Sequence, residues 1–194
     1  MITKLAIILL EKKNMDELID IVDENGNYTG TTCLKSEAHK YGYFHPTIHV
    51  WLYTSDKKIL LQKRALTKKV FPGLWDISVA GHIAAGEDIT IAATREVKEE
   101  IGFDMLPENL HKIGTRKHMV QHSNGIIDNE FHHVFIAELT IPLEKLTLQV
   151  EEVAELKLFD LEIILHTKNH ENLLLPQYQE YYCFVYEQIV AALK

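Results

Sequence analysis

Cysteine is scarce in this 194-residue chain, where only Cys33 and Cys183 occur. Two thiols so far apart give neither a disulfide framework nor a zinc-type ligand spacing, and a reducing, cytoplasmic setting is expected. Basic residues are in the minority: 20 Lys and Arg stand against 28 Asp and Glu. The resulting net charge of −8 disfavours nucleic acid and anionic membranes as partners, leaving small phosphorylated molecules and room for a local basic pocket. Long apolar runs are also missing. The six apolar residues at 5–10 are followed by Glu11, Lys12 and Lys13, too short a run for a secretory signal or a membrane span. No repeat, low-complexity tract or linker is present, and the length and 46% hydrophobic content suit one domain with a sizeable core.

What the chain does have is concentrated acid. Residues 81–103, GHIAAGEDITIAATREVKEEIGF, place Glu87, Arg95, Glu96, Glu99 and Glu100 between Gly81 and Gly102. From Asp88 onward this predicts a helix, capped by Asp88 or Thr90 and closed by Gly102 in a left-handed turn. At about 100° per residue, Glu96, Glu99 and Glu100 share one face and Ile89, Ala93, Val97 and Ile101 the other. Carboxylates on adjacent turns repel, and a bound cation removes that cost. Oxygen donors favour Mg²⁺ or Mn²⁺, with water and substrate phosphates completing the shell. Arg95, four residues before Glu99, is placed to orient it, and Glu87 to fold back onto the same site.

Around this helix the pattern predicts strands at 16–22 and 28–32 as a hairpin, then 47–53 and 59–62 joined through 54–57. Further strands are expected at 77–80, 110–118, 131–139 and 155–159, with helices from 160 and beyond Pro176. Phe71 and Trp75 read as core anchors. Segments 67–75 and 118–129, taken as loops, and the C-terminal helix are the expected specificity elements. That aromatic helix and the apolar N-terminus could each cover the core or form a homodimer face.

The acidic segment matches the Nudix box at Gly81, Glu87, Arg95, Glu96, Val97, Glu99, Glu100, Gly102 and Phe103, so the chain resembles the Nudix hydrolase superfamily. The resemblance implies an α/β fold, an α/β/α sandwich with a mixed β-sheet, over residues 15–194, with 1–14 as an N-terminal extension. It also implies Mg²⁺-dependent cleavage of a diphosphate linkage in a nucleoside diphosphate derivative or related small molecule. Glu96, Glu99 and Glu100 would be the metal ligands, Arg95 their orienter, and Glu151 or Glu152 the general base.

Residues 16–165 also resemble the branch of that superfamily containing isopentenyl-diphosphate isomerase. In this likeness Lys35, Arg64 and Lys68 would grip the diphosphate. His39, His45, His82, Asp128 and Glu130 would form a second metal site, a donor set suited to Zn²⁺, Mn²⁺ or Fe²⁺. The departures matter for the chemistry. Alkene isomerisation needs a proton donor and an acceptor on opposite faces, and the isomerase thiol position is here Ala80, a methyl group that transfers no proton. The isomerase tyrosine aligns with His118, and this box is complete where isomerase boxes are degenerate. A hydrolase built on an isomerase-like pocket is therefore expected, with isomerase or non-catalytic nucleotide binding as the alternatives.

Overall fold

The computed structural model describes residues 16–167 and 173–194, so the expected extension at 1–14 lies outside the described residues. Strand β3 (His45–Tyr53) organises the molecule because almost every side chain along it is buried. Ile48, Val50 and Leu52 enter one core cluster and Trp51 and Tyr53 the other, as alternation on a strand demands. The sheet around it is mixed. β8 (Ile127–Glu138) runs parallel to β3, and β7 (His111–Gln121) pairs antiparallel with β8. β6 (Val79–His82) lies antiparallel along the first half of β3. On the far side, β4 (Lys58–Arg64) pairs with β5 (Trp75–Asp76) and β9 (Val153–Asp160). A separate hairpin of β1 (Leu18–Val22) and β2 (Tyr28–Leu34) precedes helix α1 (Lys35–Tyr41).

Each face of the sheet carries one long helix. Helix α2 (Ile89–Ile101) buries Ala92, Ala93, Val97 and Ile101 against Ile48, Val50, Leu52 and Val79. Helix α3 (Gln179–Ala192) buries Tyr182, Val185 and Ile189 against Trp51, Leu61 and Ile136. The α/β/α arrangement expected from the sequence is thus present, and the C-terminal aromatics cover the core. No helix among the described residues is long and apolar enough to cross a membrane.

Two expectations are corrected. The segment 118–129 is mostly strand, not loop: β7 and β8 close through a tight turn in which His122 N–H donates to the Ile126 carbonyl and Gly125 has φ +87°. Asn124-Gly125 is the turn signal that permits it. The helix expected from 160 is only a 3-10 turn, Leu161–Leu165.

Candidate functional site

Helix α2 begins where the Asp88 side chain accepts from the Thr90 and Ile91 amides, and it ends at Gly102 with φ +68°. Between these caps the three acids do not form one solvated face. The Glu99 side chain is 55% exposed, whereas Glu100 retains only 5% exposure and accepts a hydrogen bond from Gln62 Nε2 at 3.0 Å. Burial, then the neighbouring Glu96 and Glu152 charges, push the Glu100 carboxyl up to about 8. Burial likewise raises Glu96 to about 7, against the opposing pull of Arg95. Glu96 lies directly over Gly81 of β6, so closely that a Cβ there would overlap its carboxyl group.

Arg95 is the hub of the acidic cluster. It donates to Glu99 Oε2 at 3.1 Å, as its spacing predicted, and also to Glu96 Oε1 at 2.8 Å and the His82 carbonyl at 3.0 Å. Its main grip is on Glu87, through Nε to Oε1 at 2.9 Å and Nη2 to Oε2 at 2.8 Å. This fork, with the Ala84 amide on the same carboxylate, uses both Glu87 oxygens. Glu87 folds back as expected, but onto Arg95 rather than toward the cavity as a further acidic contributor. The Arg95 hydrogen bonds hold its carboxyl below the usual range.

A second constellation stands one residue further along β6, at His82. His39 from α1, His45 at the start of β3, His82 from β6 and Glu130 from β8 each offer one donor atom, all within 4.8 Å of one another. His45 Nδ1 donates to the Tyr43 carbonyl at 2.9 Å, and its Nε2 is buried without a hydrogen-bond partner, 3.6 Å from Glu130 Oε1. His39 Nε2 and His82 Nε2 face each other at 3.1 Å. Three imidazoles and a carboxylate converging on one point form a donor set that fits a transition-metal ion. Without an ion, burial holds the His82 imidazole well below its usual range. Asp128, expected among the ligands, stands outside the four. Its oxygens are engaged by His122 Nε2 at 2.7 Å and by His39 Nδ1 at 2.9 Å.

Both clusters open onto one cavity of about 850 Å³, which Lys35, Arg64 and Lys68 also line. Two of these cations have partners. Arg64 pairs with Asp76 at 3.2 Å and donates to the Val70 carbonyl, while Lys68 forms an ion pair with Glu152. Glu151 lines the same wall, and its carbonyl accepts from Thr67. Trp75 packs edge-on against Phe159 as a core anchor, and Phe71 sits at the cavity wall against His122.

Among the cavity residues that escaped the sequence reading are His49, Arg116 and His132. They belong to period-2 rows, His45-Thr47-His49 on β3, Asp128-Glu130-His132 on β8 and Arg116-His118 on β7. Strand register brings the rows together, with His118 opposite Glu130 opposite His45, and Arg116 opposite His132 opposite Thr47. On β3, polar Thr47 and His49 alternating with apolar Ile48 and Val50 were the available signal, whereas β7 and the start of β8 carry polar residues on both faces and offer none.

Comparison with known proteins is consistent with this geometry. The model of the NUDIX domain matches residues 43–179. Nudix hydrolase 3 of Arabidopsis thaliana is 37% identical over 146 residues, covering 73% of this chain but only 19% of the longer relative. An uncharacterised Nudix hydrolase of Clostridium acetobutylicum is 39% identical over 144 residues, covering 73% of this chain and 68% of its own. Isopentenyl-diphosphate Delta-isomerase 2 of Photorhabdus laumondii is 33% identical, covering 74% and 77%. A crystal structure of a Deinococcus radiodurans protein superposes with a TM-score of 0.63 at 17% identity, covering 86% of this chain and 97% of that one.

Proposed function

The chain belongs to the NUDIX family, and from that premise we propose that it is a metal-dependent pyrophosphohydrolase acting on a nucleoside diphosphate derivative or related small diphosphate. One observation carries the reading: Glu96 and Glu100 are crowded, largely buried carboxylates at the wall of a cavity that Lys35, Arg64 and Lys68 also line. Burying like charges together is costly, and a divalent cation offsets the cost. Glu96, Glu99 and Glu100 would hold Mg²⁺ or Mn²⁺, which when bound neutralises phosphate charge and makes water a better nucleophile.

The chain's own residues supply the rest. Lys35, Arg64 and Lys68 bind the diphosphate oxygens, and the Arg95 fork keeps Glu96 and Glu99 aligned. Glu152, released from Lys68 as the substrate takes up that cation, accepts the proton of the attacking water. The water oxygen bonds to one phosphorus, and the bridging P–O bond breaks with its electron pair on the leaving oxygen. His39, His45, His82 and Glu130 would hold a second ion, for which the unpartnered His45 Nε2 is the reason.

Isomerisation ranks second. Ala80 lines the cavity where a thiol would be needed, and neither Cys33 nor Cys183 does. The experiment is a panel of nucleoside and isoprenoid diphosphates with Mg²⁺, Mn²⁺ and Zn²⁺ in turn, followed by phosphorus NMR. Cleavage of at least one diphosphate is expected, and no turnover with any metal would overturn the proposal.

A further inference from the structure

The wall of the cavity beyond Ala80 is polar and carries one cation with no acid beside it. Arg116 stacks on two aromatic rings, 4.6 Å from the Tyr178 centroid and 4.9 Å from that of Tyr181. Its only hydrogen-bonding contacts among the described residues are long, 3.4 Å to His118 Nδ1 and 3.4 Å to His132 Nδ1, both from Nη1. The remaining guanidinium N–H groups meet no protein acceptor, and no carboxylate lies within 4.0 Å of them, among those residues.

His49 adds a donor whose orientation follows from its neighbours. Trp51 Nε1–H can only donate, and it donates to the Tyr181 hydroxyl at 2.8 Å. The hydroxyl keeps one proton of its own to place, and the acceptor within reach among the described residues is His49 Nδ1, 2.9 Å away. A neutral imidazole accepting at Nδ1 carries its hydrogen on Nε2, so His49 presents an N–H with no protein partner among the described residues. Burial, and after it the neighbouring His132 and Arg116, hold His49 below the usual imidazole range and keep it in this uncharged form. Donors face the cavity here, and the acid whose charge also reaches them, Glu130, is engaged by His132 Nε2 at 2.8 Å.

We propose that Arg116 and His49 bind an oxyanion at the end of the substrate remote from the diphosphate, so that the preferred substrates carry a terminal carboxylate or phosphate. This rests on the diphosphate reading above and narrows its substrate class. A hydrocarbon tail placed here would strip the guanidinium of water without replacing it, which is unfavourable. An oxyanion replaces that water with charge-assisted hydrogen bonds.

The test uses calorimetric titration in Mg²⁺ with uncleavable methylenebisphosphonates. Parent methylenebisphosphonate reports the diphosphate grip, and its hexyl and 5-carboxypentyl esters report the remote wall. The carboxylated ester is expected to bind at least about tenfold tighter than the hexyl ester. Arg116→Gln should bring the two within about twofold, and Arg116→Lys, which keeps the charge, should retain part of the preference. Equal binding of the two esters by the wild-type protein overturns the proposal, as does a preference that persists in Arg116→Gln. If the parent compound does not bind, the diphosphate reading is what has failed. Hexanoate alone then decides the remote site: binding lost in Arg116→Gln supports it, and no binding overturns it.

Discussion

A Cβ placed on Gly81 would stand 2.2 Å from the carboxyl carbon of Glu96 and 2.6 Å from its Oε1. The glycine is therefore required by close approach, since its own backbone is not in the left-handed region. Gly81→Ala should displace Glu96, lower kcat by about tenfold or more, and weaken Mg²⁺ activation. Unchanged kcat at saturating Mg²⁺ would refute this link between strand and helix.

Glu100→Gln and Glu99→Gln should each reduce kcat by about a hundredfold, the scale of losing electrostatic stabilisation in a transition state. The two should differ in their folding consequences. Glu99 is exposed and its loss should leave the melting temperature unchanged, whereas Glu100 is buried beside Gln62. Calorimetry together with steady-state kinetics measures both.

The acid cluster makes the metal-free protein sensitive to alkali. Glu96 and Glu100 are raised to about 7 and about 8 from an ordinary 4.5. Below 4.5 both are protonated, folded or unfolded. Above it the unfolded chain loses protons that the folded one keeps, so stability falls as pH rises from 4.5 through 8. In EDTA the melting temperature should drop across this window, and Glu100→Gln should flatten the drop. A flat wild-type profile would contradict the crowding described for this pair.

Acid weakens the fold elsewhere. Burial, followed by the neighbouring Lys112 and His132, lowers His133 to about 4 from 6.5. The unfolded chain then binds the extra proton first, and stability is lost as pH falls from 6.5 toward 4. His133→Gln should make melting less steeply pH-dependent there, with the same melting temperature trend above pH 7.

Removing one donor of the second cluster should cost a metal without unfolding the protein. His45→Gln is expected to lower the bound Zn²⁺ or Mn²⁺ by one equivalent after dialysis, as read by elemental analysis, while circular dichroism stays native. Equal metal content in both proteins would remove the case for a second ion.

The local chemistry was legible before the structure. Spacing within α2 gave the caps, the apolar stripe and the Arg95–Glu99 contact, because a helix brings residues three and four apart together whatever surrounds it. Burial of Glu100 was not legible, since it depends on Gln62 and on the chain around Gln149 to Glu152, far away in sequence. The Glu87 fork was hidden because neighbouring acids competed for one guanidinium and only geometry ranks them. Arg116, His49 and His132 are not legible in the sequence because strand alternation becomes a site only once register is known, and 118–129 reads as one long loop.

That register has a consequence for how the molecule tolerates change. Glu130 and His132 face the cavity only because β8 meets β3 with His45 opposite Glu130. Adding or deleting one residue within β8 would turn both side chains to the opposite surface at once. Length variation in this stretch is therefore an all-or-none lesion, while the turn from His122 to Ile126 is the place where extra residues can be absorbed.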